Sequence, residues 1–182
     1  MSKPLGNYWT AVVNGEEQQL QVTPTTRLVD ILRTHLNLTG TKVSCEVGRC
    51  GACMVLMDGN PVNSCLLMAY QCQGREITTI EGLSGDQEGN LHPIQQAFVE
   101  EGGFQCGYCT PGMVISTKAL LDQHPQPTQE QIEIGLCGNL CRCTGYGGIL
   151  RAVKRAGESL CSLDTLTKNK GKEQMDYGVM DS

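Results

Sequence analysis

Aromatic residues are scarce in this chain. Its 182 residues include two Phe, five Tyr and one Trp, so a core must be built mostly from Leu, Ile, Val and Met. Positive charge is short too. Fourteen Lys and Arg stand against 19 Asp and Glu, a net charge of −5. With a sequence pI ≈ 5.2, the chain lacks the basic surface that phosphate contacts demand, which argues against nucleic acid as a partner. No apolar run approaches ~18 residues, so no membrane span is expected. The opening stretch MSKPLGNYWTAVVNGEEQQ has no apolar h-region, so a cytoplasmic location is expected rather than export. No G-x-G-x-x-G follows a strand pattern, no phosphate-binding loop is visible, and no nucleophile–base constellation stands out. The three histidines, His35, His92 and His124, are scattered and lack the paired Cys/His motifs of a Rieske-type centre.

Cysteine, by contrast, is abundant. There are 11, and without an export signal such density favours metal or redox chemistry over a disulfide framework. The length suits two small domains of ~80 residues each, a size at which metal staples help.

The first half reads as strand-rich. Two extended runs flank Asn14-Gly15, a strong hairpin signal. Leu28, Ile31, Leu32 and Leu36 then recur at helical spacing, with Gly40 as the expected stop. After a glycine- and cysteine-rich loop, a second hairpin is expected around Asp58-Gly59, and REITTIEGL reads as a last strand. From about residue 90 the pattern turns helical, with four helices expected. Thr110 is the expected N-cap of one, with Pro111 as its first helical residue. Thr128 and Gln131 form a candidate capping box for another. Together these predict an α+β chain: a domain over 1–83 of β-grasp type, an all-α four-helix domain over 90–163, and a flexible or partner-docked tail over 164–182.

Cys45, Cys50 and Cys53 make C-x4-C-x2-C, the spacing of plant-type [2Fe–2S] ferredoxins. Gly48 and Gly51 let the loop wrap closely and aim peptide N–H groups at an anionic centre. A fourth ligand must come from Cys65 or Cys72. Counting from Gly59 brings Cys65 back opposite Cys53, so Cys65 is the choice and Cys72 is read as a buried hydrophobe. Zinc sites usually pair two short knuckles, which this loop does not resemble.

The second group is Cys106 and Cys109 (C-x2-C) with Cys141 and Cys143 (C-x-C). Each pair lies just before an expected helix start, where free N–H groups favour thiolates. A C-x-C pair is too tight for an internal disulfide. By spacing alone this group fits either an iron–sulfur cluster or zinc.

Five motifs, CEVGRCGAC, SCLLMA, ITTIEGL, QCGYCTPGM and GNLCRCTGY, occur in the order found in the small iron–sulfur subunit of molybdenum hydroxylases, the xanthine dehydrogenase family. The chain resembles that family from about residue 8 to about residue 160. The resemblance implies a plant-type ferredoxin domain with one [2Fe–2S] cluster on Cys45, Cys50, Cys53 and Cys65, lying towards a flavin. It implies a second cluster on Cys106, Cys109, Cys141 and Cys143, next to a molybdopterin. Gln105 and Cys143 would contact the pterin. Molybdopterin and FAD would belong to partner chains, a large molybdopterin-binding subunit and an FAD-binding subunit in a hetero-oligomer. This chain would relay electrons one at a time and do no bond chemistry itself. The implied substrate is xanthine or another purine or N-heterocycle. A stand-alone two-cluster ferredoxin is the alternative. Ser44 and Cys137 depart from the family pattern, and Cys72, Cys137 and Cys161 are read as structural or incidental thiols.

Overall fold

The computed structural model describes residues 8–83 and 91–173, with side chains through Leu163. The glycine-rich stretch GLSGDQEGN, residues 82–90, where the domain boundary is expected, lies outside the described residues from 84 on, as do the last nine residues.

Both hairpins form where the sequence places them. β1 (Tyr8–Val13) and β2 (Glu16–Gln21) pair antiparallel. Their turn has positive φ at Asn14 (52°) and Gly15 (84°), the type I′ geometry that matches strand twist. β3 (Met54–Met57) and β4 (Asn60–Asn63) repeat this around Asp58 (50°) and Gly59 (78°). β5 (Glu76–Thr78) lies parallel to β1 and antiparallel to β3, giving one five-stranded sheet in the order β2-β1-β5-β3-β4.

The helix after β2 departs from expectation. α1 (Leu28–Asp30) runs directly into a π-helical stretch, Ile31–His35, closed by the Leu36 N–H on the Ile31 carbonyl. It ends at Asn37, whose φ is 56°, and not at Gly40. Asparagine tolerates the left-handed conformation, so it can cap a helix as glycine does.

The second half holds α2 (Pro93–Glu100), α3 (Thr110–Gln123), α4 (Gln129–Leu136) and α5 (Gly147–Glu173). The Thr128–Gln131 capping box is present. α3 starts one residue earlier than expected: Cys109 is the cap, Thr110 the first helical residue, and Pro111 the second. Thr110 Oγ1 is buried without a hydrogen-bond partner, so it does no capping. α5 continues through Glu173, ten residues into what the sequence suggests is a tail.

β3 joins the halves. Val55 enters the first core, where Trp9, Leu28 and Ile77 also pack. Met54 and Leu56 enter the second core, with Met113 and Phe98. Successive strand residues face opposite ways, so β3 is covered on both faces, by α1 on one and α3 on the other. α2 and α5 share the second core through Ile94, Ala97, Phe98, Ile149 and Val153. Ion pairs from Arg155 to Glu100 (2.5 Å) and Arg151 to Glu101 (3.2 Å) pin their rims.

Candidate metal centres

The loop over residues 45–53 carries three left-handed residues, Glu46 (φ 56°), Gly48 (73°) and Gly51 (69°). Glycine takes this conformation freely, and a glutamate does so at some cost. An ion pair from Arg27 to Glu46 holds the Glu46 side chain, and Arg27 is itself braced by Asp30 (2.8 Å). The resulting curl aims backbone N–H groups at Cys45. Arg49 N–H donates to its sulfur at 3.3 Å. The N–H of Val47 is the main cause that draws the Cys45 thiol down to about 6, against burial and with help from Arg49 and Cys50. At this site Arg49 acts through its peptide group, while its side chain is exposed.

Cys53 and Cys65 are buried and share a small cluster with Val29 and Val43. Burial is the first cause that pushes Cys53 up to about 11, and hydrogen bonding with the Cys65 thiol adds to it. The hairpin count is off by one. The register runs Met54↔Asn63 to Met57↔Asn60, so Ser64, not Cys65, continues opposite Cys53. Ser64 donates its N–H (3.2 Å) and its hydroxyl (2.7 Å) to the Cys53 carbonyl. The reason is that a two-residue turn centres the hairpin between Asp58 and Gly59, not on Gly59. A turn from Asn63 to Leu66 (3.0 Å) then swings Cys65 round to Cys53. Cys72 packs instead into the sheet core with Trp9 and Ile77, and burial pushes its thiol up to about 11.

In the second group Cys106 Sγ and Cys143 Sγ stand 3.7 Å apart, both exposed. Cys109 and Cys141 form the other pair, further inside. Cys109 is pushed up to about 12, first by burial and then by the Cys141 thiol beside it. Cys141 is lowered: burial opposes this, but the Thr144 hydroxyl and the Thr144 and Cys143 N–H groups outweigh it. Thr144 Oγ1 donates to Cys141 Sγ at 3.1 Å and accepts from Tyr146 N–H at 3.2 Å. The Tyr146 phenol accepts from Cys141 N–H (2.9 Å) and donates to the Asn139 carbonyl (3.3 Å). Sequence reasoning missed the roles of Thr144, Tyr146 and Asn63, whose side-chain Oδ1 accepts from Cys53 Sγ at 3.6 Å. Thr144 and Tyr146 both lie inside the motif GNLCRCTGY, a hydroxyl residue directly after the C-x-C pair being the usable signal, whereas nothing marked Asn63. Gln105 is exposed beside Cys106. Cys137 is exposed at the end of α4, and Cys161 receives the Gln126 side-chain N–H at 3.4 Å on α5.

The two loops touch. Leu140 N–H donates to the Cys50 carbonyl at 2.9 Å, one residue before Cys141. Tyr108 reaches across to the Val43 carbonyl at 2.5 Å. A Cβ on Gly112 would meet the Gly51 carbonyl at 2.0 Å, so α3 starts directly against the first loop.

The thiols therefore meet in twos: Cys45 with Cys50, Cys53 with Cys65, Cys106 with Cys143, Cys109 with Cys141. Two thiolates on one tetrahedral metal at ~2.3 Å stand ~3.8 Å apart, which is the spacing of the Cys106–Cys143 pair. Among the described residues no three Cys, His, Asp or Glu side chains gather as they would round one metal ion. The donor set suits a two-iron centre with two thiolates per iron better than a single zinc.

Comparison with known proteins agrees. Residues 11–78 match the 2Fe-2S iron-sulfur cluster binding domain family, and residues 79–154 match the [2Fe-2S] binding domain family. The chain is 58% identical over 148 residues to a probable xanthine dehydrogenase subunit of Bacillus subtilis, covering 81% of this chain and 84% of that one. It is 47% identical over 146 residues to the nicotinate dehydrogenase small FeS subunit of Eubacterium barkeri, covering 80% and 92%. The crystal structure of quinoline 2-oxidoreductase from Pseudomonas putida 86 superposes with a TM-score of 0.79 at 40% identity, covering 84% of this chain and 94% of that one. With sequence and fold both matched along most of the chain, it belongs to the family of small [2Fe–2S] subunits of the molybdenum hydroxylases.

Proposed function

We propose that this chain relays electrons one at a time from a molybdenum centre to a flavin, both on partner subunits. Its β-grasp, plant-type ferredoxin half would hold one [2Fe–2S] cluster on Cys45, Cys50, Cys53 and Cys65. Its four-helix half would hold the other on Cys106, Cys109, Cys141 and Cys143. When bound, such clusters supply one-electron redox couples. The protein's part is to hold, insulate and aim them. Curled backbone and buried thiols shield the inner pairs, while Cys106 and Cys143 are presented at the surface beside Gln105. That exposed edge suits contact with the pterin of a large partner subunit. The observation that carries the reading is the direct hydrogen bond from Leu140 N–H to the Cys50 carbonyl. It ties the loop of one thiol set to the loop of the other.

The substrate would be taken by the partner. Xanthine or a related purine or N-heterocycle is the proposal, supported by a relative named for xanthine and others named for nicotinate and quinoline. The chain would work in the cytoplasm as part of a hetero-oligomer. No helix among the described residues is long and apolar enough to cross a membrane.

The test is gentle purification of the tagged chain from its native host, with iron analysis and mass spectrometry of what accompanies it. Recovery with two [2Fe–2S] clusters, a molybdopterin subunit and a flavin subunit is expected. Recovery alone with both clusters intact would point to a free-standing ferredoxin and defeat the proposal.

A further inference from the structure

We infer that Thr144 is a positioning residue that sets the reduction potential of the second cluster through its hydrogen bond to Cys141. The inference rests on the proposed ligand set, of which Cys141 is a member. A threonine hydroxyl carries one hydrogen and two lone pairs. Tyr146 N–H occupies a lone pair of Thr144 Oγ1 at 3.2 Å, and Cys141 Sγ stands 3.1 Å from the same oxygen. With the acceptor side engaged, the hydroxyl hydrogen is directed at the sulfur. The Cys141 N–H is itself taken up by the Tyr146 phenol at 2.9 Å. The sulfur therefore draws on the Thr144 hydroxyl as well as on the N–H groups of Thr144 and Cys143, whereas at Cys45, in the other loop, the backbone N–H groups of Val47 and Arg49 take that part.

The surroundings fix this geometry. Tyr146 sits at a φ of 66° after Gly145 at 61°, so two successive left-handed residues turn the chain back on itself. The Tyr146 phenol is held at both ends of the Asn139–Cys141 stretch. Thr144 is thus locked between a fixed N–H and a fixed sulfur.

The consequence is electrostatic. A [2Fe–2S] cluster held on Cys106, Cys109, Cys141 and Cys143 would gain one unit of negative charge on accepting one electron from the partner's molybdenum centre, and would lose it again on passing that electron to the first cluster. A donor to a ligand sulfur stabilises the more negative form and so raises the potential. No backbone change is needed to remove this donor, so the effect can be isolated by substitution.

The experiment uses the assembled complex carrying Thr144→Val or Thr144→Ser. Each cluster is titrated separately by electron paramagnetic resonance, with iron counted. Exchangeable deuterons near the second cluster are read by electron–nuclear double resonance in D2O. The expected result is a second-cluster potential shifted lower in Thr144→Val, restored in Thr144→Ser, with the first cluster unmoved. One strongly coupled exchangeable deuteron should vanish in the valine variant. An unchanged second-cluster potential at full iron content overturns the inference. If Thr144→Val does not load, absence of that deuteron signal from the wild-type second cluster overturns it as well. A wild-type complex without a second cluster would instead defeat the ligand assignment itself.

Discussion

Cys65 and Cys72 lie seven residues apart and meet opposite fates. Cys65 reaches Cys53, while Cys72 is fully buried in the sheet core. Cys65→Ser should halve the iron bound per chain. Cys72→Ser should leave iron unchanged but lower stability by ~1–3 kcal/mol, because it buries a hydroxyl among apolar groups. Iron assay and thermal melts of the two variants check both. That Cys65 and not Cys72 comes round to Cys53 was legible in the sequence, since the turn dipeptide Asp58-Gly59 marks where the chain doubles back. The residue that faces Cys53 was not, because a count cannot see the turn that follows Asn63. The sequence marks Gly112 only as part of a helix start. A Cβ there would strike the Gly51 carbonyl, and backbone cannot yield as a side chain tip does. Gly112→Ala should cost ~3 kcal/mol or more and loosen the junction between the halves, seen as a lower melting temperature and a second, earlier transition.

Among the elements, α2 shows how a histidine that looks incidental in the sequence finds a role. His92 caps it, with Nδ1 accepting from Ile94 N–H at 3.2 Å while its own backbone N–H goes to Gln95 at 2.9 Å. Burial first, and then Lys118, lower its pKa below 6.5, with Asp122 opposing. The unfolded chain then binds more protons than the folded one just below pH 6.5, so stability must fall as pH drops through that value towards the folded pKa. Protonation also destroys the acceptor that makes the cap. Unfolding midpoints measured from pH ~7 to ~5 should decline in the wild type, and less steeply in His92→Asn, which caps without titrating. The α1 helix was legible from its apolar spacing, yet its π-helical turn was not. The same four apolar residues satisfy either ladder, and the choice falls to the packing of Ile31 and Leu32 in the core. Likewise Thr110 is the better capping residue by type, but the sulfur site places Cys109 at the helix mouth.

At the scale of the whole molecule, the sequence shows two halves of different kind but not how they join. MVLM is apolar throughout, the mark of a strand buried on both faces. Which element covers each face depends on contacts that sequence spacing does not encode. The junction runs through β3, Gly112, Tyr108 and the Leu140–Cys50 bond. Leu140→Pro deletes the N–H of that bond. Both clusters should still assemble, and electron exchange between them should slow severalfold in flash-reduction kinetics, whereas Leu140→Ala should exchange at the wild-type rate.

The second thiol set is lopsided: Cys109 sits partly inside, while Cys106 and Cys143 stand at the surface. On the proposed ligand set, that asymmetry would dictate an order of manufacture. Iron and sulfide would have an open door at Cys106 and Cys143 only until a partner closed over Gln105 and its neighbours. Maturation would then have to run from loading to docking. A chain that docked empty would stay empty, a dead component inside an otherwise finished enzyme.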